Sequence, residues 1–224
     1  MRLRDTYKTV LREAPERPVV SNEELLRVCS GNSKAVVDFY TQAKQYLLST
    51  EYKAEVEWCQ RLKPFESVTA EQFFSHYVYV VIDSGMREQV ARKTYEKFCK
   101  TFDFNVIGHL GKRKAIQEAF RSFPKWFEEL KQSDNKIEYL ETLPWIGPIT
   151  KFHLARNMGI DTVKPDRHLV RLARRFGYKD PLEMCVEIQK ATQERLGVID
   201  VVLWRYCNLK GSRKAAEDSS LDQY

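Results

Sequence analysis

Leu143-Pro-Trp-Ile-Gly-Pro-Ile-Thr150 is the stretch on which the reading of this chain turns. Pro144 stops one short helix, Gly147 permits a tight backbone turn, and Pro148 suits the first turn of a second helix running to about Met158. A helix start leaves N–H groups open, and these can hold a phosphate without reading any base. Asp166 follows nineteen residues after Gly147, within Val163-Lys-Pro-Asp-Arg-His168, at the mouth of a further helix beginning near Arg167. An Asp in that place is a natural helix cap, and a capping carboxylate can also do chemistry. A phosphate clamp followed by one carboxylate suits chemistry on a DNA nucleotide.

Outward from this stretch the pattern is helical nearly throughout. From Ser33, apolar residues at Val36, Val37, Phe39, Tyr40, Ala43, Tyr46 and Leu47 fall on one helical face. Thr69-Ala-Glu-Gln72 reads as a capping box that opens an apolar helix over 73–82. That helix is apolar nearly all round, which places it at the buried centre. Asp83-Ser-Gly-Met86 breaks the run, and an amphipathic helix resumes over 87–100. Residues 108–112 read as a loop, and 114–130 as a helix that Pro124 should disturb or break. Residues 135–140 lead into the hairpin, 181–196 form a helix, and 198–209 form the last one. From Gly211 onward the chain reads as a frayed tail.

Composition sets broad bounds. The 224 residues are 43% hydrophobic and 30% charged, enough for a sizeable core and unlike a disordered chain. Lys and Arg number 37 against 31 Asp and Glu, and the net charge of +6 favours a polyanionic partner. The five cysteines are odd in number and scattered, with no C-x-x-C pair, so neither a zinc site nor a disulfide framework is expected, and no metal. Met1-Arg-Leu-Arg-Asp is no apolar signal region, and no stretch has the eighteen or more apolar residues of a membrane span. A soluble intracellular protein with no membrane partner is expected.

The order Leu143-Pro-x-Ile-Gly-x-x-Thr150, a helix ending in Gly159, then x-Pro165-Asp166-x-His168-x-x-Arg171 resembles the helix-hairpin-helix (HhH-GPD) DNA glycosylases, of the endonuclease III-like and 8-oxoguanine glycosylase-like kind. The resemblance covers about 66–209; the residues before it carry no matched motif and read as helices that complete the fold. It implies an all-α, two-lobed fold with a DNA-binding cleft between lobes, a single interleaved unit over 1–210 with a flexible tail over 211–224. It also implies a monomer that flips a damaged or modified base from double-stranded DNA and hydrolyses its N-glycosidic bond.

Such cleavage builds positive charge on the sugar. A carboxylate near the anomeric carbon stabilises that charge and orients or deprotonates water, roles the resemblance gives to Asp166. Relatives that nick the strand use a lysine to form a Schiff base; its place is Ile149 here, which implies a monofunctional, water-using enzyme. Trp145 stands where the family usually has Gly, and is either packed under the hairpin or set against the DNA backbone. With Ile146, Gly147, Pro148, Ile149, Thr150 and Lys151 it makes the expected hairpin contact to DNA, and relatives commonly hold a monovalent cation there. Some relatives carry a four-cysteine iron–sulfur cluster; only Cys207 lies near the right place, so none is expected.

The loop Ser84-Gly85-Met86-Arg87 falls where relatives place residues that fill the hole left by an extruded base. Met86 is a candidate wedge, and Arg87 a candidate phosphate or orphan-base contact. Lys164 and His168, which flank Asp166, are further candidate DNA contacts, with His168 also supporting its loop. Asp200 and Trp204, at i and i+4 on the last helix, with Ser84, are candidates for the base pocket. Two rivals remain open: a non-catalytic helix-hairpin-helix module that only binds DNA, and a bifunctional glycosylase/lyase using Lys164 or Lys151.

Overall fold

A reciprocal capping box starts the helix at the centre of the molecule. The Gln72 N–H donates to Thr69 Oγ1 at 3.3 Å, and the Thr69 N–H donates to Gln72 Oε1 at 3.0 Å, so two donors that a helix start leaves open are satisfied. The helix that follows buries Phe73, Tyr77, Val78, Val80, Val81 and Ile82. Each such side chain contributes about 1.5–3 kcal/mol when fully buried.

The computed structural model describes residues 22–210. Among the described residues there are ten α-helices and no strand. They are α1 (Asn22–Leu48), α2 (Lys53–Gln60), α3 (Ala70–Asp83), α4 (Glu88–Thr101), α5 (Leu110–Gln132), α6 (Lys136–Thr142), α7 (Thr150–Asn157), α8 (Arg167–Arg175), α9 (Pro181–Thr192) and α10 (Leu196–Lys210). The tail expected over 211–224, like residues 1–21, lies outside the described residues. Among the described residues no helix is long and apolar enough to cross a membrane.

The buried side chains form two cores. One is built by α1, α2, α8, α9 and α10 around Phe39, Leu47, Leu169, Met184 and Val202. The other is built by α3 to α7 around Phe73, Tyr77, Ile116, Leu130 and Leu154. The chain therefore leaves the first lobe after α2, builds the second, and returns to the first before α8. The two crossings run side by side. Gly159, at φ +80°, lies so close to the first crossing that a Cβ there would meet the Lys63 carbonyl oxygen at 2.0 Å. Arg195 bridges both, donating to the Leu62 carbonyl at 2.8 Å and the Gly159 carbonyl at 2.9 Å.

Three expectations about elements need correction. Pro124 does not break its helix: α5 runs through it, with Pro124 on an exposed side where the carbonyl it leaves unbonded can face water. Residues 108–112 are not all loop, because His109 caps α5, its Nδ1 accepting from the Lys112 N–H at 3.4 Å. The helix expected over 181–196 stops at Thr192, since Gln193 takes the left-handed conformation at φ +58° and ends α9, and Leu196 already opens α10.

Candidate active site

The hairpin between α6 and α7 is fixed from several sides. Pro144 offers its carbonyl to the Tyr77 hydroxyl at 2.5 Å, and the Ile146 N–H closes a turn onto the Leu143 carbonyl at 3.1 Å. Gly147 was expected to supply the turn's conformational freedom, but the left-handed residue is Trp145, at φ +66°. An indole side chain thus occupies the position that favours glycine. The Gly147 N–H is not open to a phosphate, since it donates to Thr150 Oγ1 at 2.7 Å. The N–H groups of Ile149 and Thr150, at the mouth of α7, have no acceptor among the described residues.

The other hairpin residues divide. Ile149 and Thr150 line the cleft between the lobes, Pro148 is exposed, and Ile146 is buried in the second core. Lys151 faces away: its ammonium binds Glu138 at 2.7 Å and Glu141 at 2.6 Å, and the residue is only 7% exposed. The side chains of Ile146 and Lys151 are thus both turned into the protein. The Lys151 ammonium, expected to touch DNA or to serve as a stray nucleophile, is instead held by two glutamates.

Trp145 is 42% exposed and lies across the start of α5, its ring 4.9 Å from that of His109. Its Nε1–H donates to Ser84 Oγ at 3.0 Å. This ties the hairpin to the loop after α3. The same loop is held by Lys112, buried beneath it, whose ammonium donates to the carbonyls of Ile82 at 2.7 Å and Ser84 at 2.6 Å. Gly85, at φ +70°, turns the chain, and Met86 and Arg87 emerge exposed at the rim of the cleft. Ser84 is therefore engaged with Trp145 and the Val81 carbonyl, although it also lines the cleft.

Asp166 caps α8, its Oδ1 accepting from the N–H groups of His168 at 2.8 Å and Leu169 at 3.1 Å. A tight turn about Pro165, in which the Asp166 N–H donates to the Lys164 carbonyl at 2.8 Å, sets it at the cleft wall. With Oδ1 committed to the cap, Oδ2 faces Lys164 Nζ at 3.9 Å. His168 supports this loop through its main chain; its ring Nε2 accepts from Arg167 Nε at 3.5 Å. Burial lowers the His168 pKa from the usual imidazole value.

The cleft encloses about 1250 Å³. Its floor joins Thr150 to two groups that sequence reasoning passed over, His153 and Arg156. Thr150, His153 and Arg156 recur at intervals of three along α7 and share one face, a spacing that was readable. Burial, reinforced by Arg156 and Lys164, holds the His153 imidazole well below its usual pKa, so the ring is neutral. It lies 3.8 Å from Asp83, whose carboxyl is raised by burial. Arg156 is paired with Asp200, both nearly inaccessible. Asp200, expected as a polar reader of the base, is 1% exposed and does not line the cleft; that buried arginine takes up its carboxylate.

Trp204 does line the cleft, but the Lys164 ammonium lies 5.4 Å and the Arg205 guanidinium 4.6 Å from its ring centroid. Arg205 forks onto two carboxylates, Glu55 of α2 (2.7 and 3.0 Å) and Glu88 at the start of α4 (2.8 and 3.0 Å). It thereby joins the two lobes directly behind Arg87. These partners lie far apart in sequence, and no local pattern announces them.

No protein-family model and no curated protein matches the sequence. Among solved structures, the chain is similar to the Methanocaldococcus jannaschii 8-oxoguanine glycosylase/lyase in complex with a 15mer DNA containing 8-oxoguanine, at a TM-score of 0.56. Sequence identity is 18%, over 75% of this chain and 97% of that one. The all-α, two-lobed architecture is thus a helical fold shared with a DNA glycosylase.

Proposed function

We propose that this chain is a DNA glycosylase that binds double-stranded DNA carrying a damaged or modified base, turns that base into the cleft, and hydrolyses its N-glycosidic bond with Asp166. The observation that carries the reading is the division of labour within one carboxylate. Oδ1 is spent on the cap of α8, and Oδ2 remains at the wall of a cleft large enough for a nucleotide. The cap fixes the rotamer, so the carboxylate needs no reorganisation when charge develops on the sugar. The open N–H groups of Ile149 and Thr150 stand on the same cleft and suit a phosphate of the bound strand.

In this reading Asp166 Oδ2 stabilises the oxocarbenium-like sugar and receives the proton of an attacking water. Water is the nucleophile, because the lysine of strand-nicking relatives falls on apolar Ile149, and the enzyme is monofunctional. Met86 and Arg87 project from the rim where they can fill the gap left by the extruded base. The protein acts as an intracellular monomer, without an iron–sulfur cluster and with at most a monovalent cation at the hairpin. Its setting is base excision repair or defence against phage DNA with modified bases.

Base release and alkali-labile strand breaks, measured on a panel of modified duplexes and modified phage genomes with the wild type and Asp166→Asn, test this. Release by the wild type alone, with breaks appearing only after alkali, is the expected result. Intact DNA binding with no base release on any substrate would instead favour a module that only binds DNA.

A further inference from the structure

The cations around the cleft differ in what they are bound to. Arg205 is spent on Glu55 and Glu88, Arg156 on Asp200, and Lys112 on two carbonyls. Among the cations that are not exposed, Lys164 stands apart. Its side chain is only 17% exposed, its nearest carboxylate oxygen is Asp166 Oδ2 at 3.9 Å, and its ammonium donates no hydrogen bond to any of the described residues. It faces the cleft beside the ring of Trp204. No group among the described residues takes up its N–H donors, which face the cleft. A substrate that brings an acceptor to this point would satisfy them.

Resting on the reading of the site as a glycosylase, we propose that Lys164 is a second catalytic residue, which donates to the departing base while Asp166 stabilises the sugar. The two groups, of opposite charge and 3.9 Å apart, can reach the two ends of one scissile bond. As C1′–N breaks, the electron pair stays on the base. A proton passes from Lys164 Nζ to the ring nitrogen or to the carbonyl oxygen conjugated with it. Water supplies the hydroxyl that bonds to C1′, and the proton it loses to Asp166 Oδ2 passes on to restore the ammonium. Burial, with Arg156 close by, lowers the Lys164 pKa, so this ammonium gives up its proton more readily than a surface lysine.

The placement selects a substrate class. A neutral base, such as a deaminated, oxidised or substituted pyrimidine, leaves as an anion and needs a donor. A ring-alkylated purine already carries a positive charge, leaves as a neutral molecule and gains nothing from a second cation. Lys164 therefore suits neutral bases with a carbonyl beside the glycosidic nitrogen.

Single-turnover release from duplexes containing uracil, 5-fluorouracil or 7-methylguanine tests this with wild type, Lys164→Met and Lys164→Arg, each first checked for native folding and DNA affinity. Loss of the donor should slow uracil release by about 100-fold or more. It should slow 5-fluorouracil, a better leaving group, clearly less, and 7-methylguanine, where released, by no more than about 3-fold. Lys164→Arg, which keeps the cation, should recover part of the uracil rate. Equal losses on every released base would overturn the proposal, leaving Lys164 a structural residue. So would a borohydride-trapped DNA adduct lost in Lys164→Met, which would make the amine a nucleophile. A wild-type chain that releases no base from any of these or the wider panel of duplexes would sink the glycosylase reading, and this inference with it.

Discussion

The indole N–H of Trp145 donates to Ser84 Oγ at 3.0 Å, across 61 residues of sequence. It locks together the two loops that face DNA in the proposed complex, the hairpin and the loop that carries Met86. The lock holds Trp145 in a left-handed conformation, φ +66°, which costs an ordinary residue about 1 kcal/mol or more. The ring is held by packing as well as by that bond, since a Cβ at Gly111 would meet it at 2.4 Å.

A double-mutant cycle measures that contact. Gly111→Ala should destabilise the wild-type fold by about 1–3 kcal/mol through overpacking against the indole. In a Trp145→Gly background the same change should be neutral or stabilising, since Ala favours a helix over Gly by up to about 1 kcal/mol. Equal costs in both backgrounds, read from urea unfolding, would show that the ring is free to move aside.

Asp166 separates chemistry from stability. Asn is as good a helix cap as Asp, so Asp166→Asn should leave stability within about 0.5 kcal/mol and DNA affinity intact while abolishing base release. Asp166→Ala should lose both, with a stability cost of about 1 kcal/mol. Near-normal excision by Asp166→Asn would disprove its catalytic assignment.

The buried Arg156–Asp200 pair predicts a large asymmetric effect. Asp200→Ala leaves a guanidinium uncompensated beneath the cleft and should cost about 3–5 kcal/mol. The double change Arg156→Met with Asp200→Leu should be much milder, because no buried charge is left alone. Thermal unfolding of the three variants checks the order.

His153 predicts a pH dependence. Its folded-state pKa is well below the usual value because of burial, whereas the unfolded chain takes up a proton near the usual imidazole pKa of about 6.5. Below that pH the unfolded state binds more protons, so stability is complete above about pH 6.5 and falls as pH drops toward the folded value. His76 and His168, also lowered by burial, act in the same direction. His153→Phe should flatten the slope of stability between pH 7 and pH 5 by up to about one proton; an unchanged slope would mean that the ring titrates freely in the fold.

Lys151→Met should leave DNA affinity and base release unchanged, within about 2-fold at fixed salt, because its ammonium is already held by Glu138 and Glu141. A marked loss of affinity, measured as a function of salt, would place it on the DNA surface after all.

Local chemistry is what the sequence made plain. The Thr69–Gln72 box and the Asp166 cap involve residues at most three apart, so spacing alone predicts them. The apolar run of α3 announced the centre of the second core by its own composition. Pro124 misled because its effect depends on which side of α5 meets water, a tertiary property. Asp200 misled for a similar reason: its i, i+4 relation to Trp204 is true of the helix, but Arg156, 44 residues away, decides where its carboxylate points. Lys112, Arg205 and Lys151 find their partners across loops or lobes, and only the folded chain brings those together.

The contact of Gly159 with Lys63 has a consequence for the plan of the whole chain. The second lobe enters and leaves the first at one point, so its entire length is a single uninterrupted excursion from a domain assembled from the segments on both sides of it. Two chain ends that already touch need almost no linker to be joined. Joining Lys63 to Gly159 directly would close the remaining helices into a continuous smaller protein, and the excised segment, with its own core, is a ready-made module that could be inserted at a surface turn of another protein.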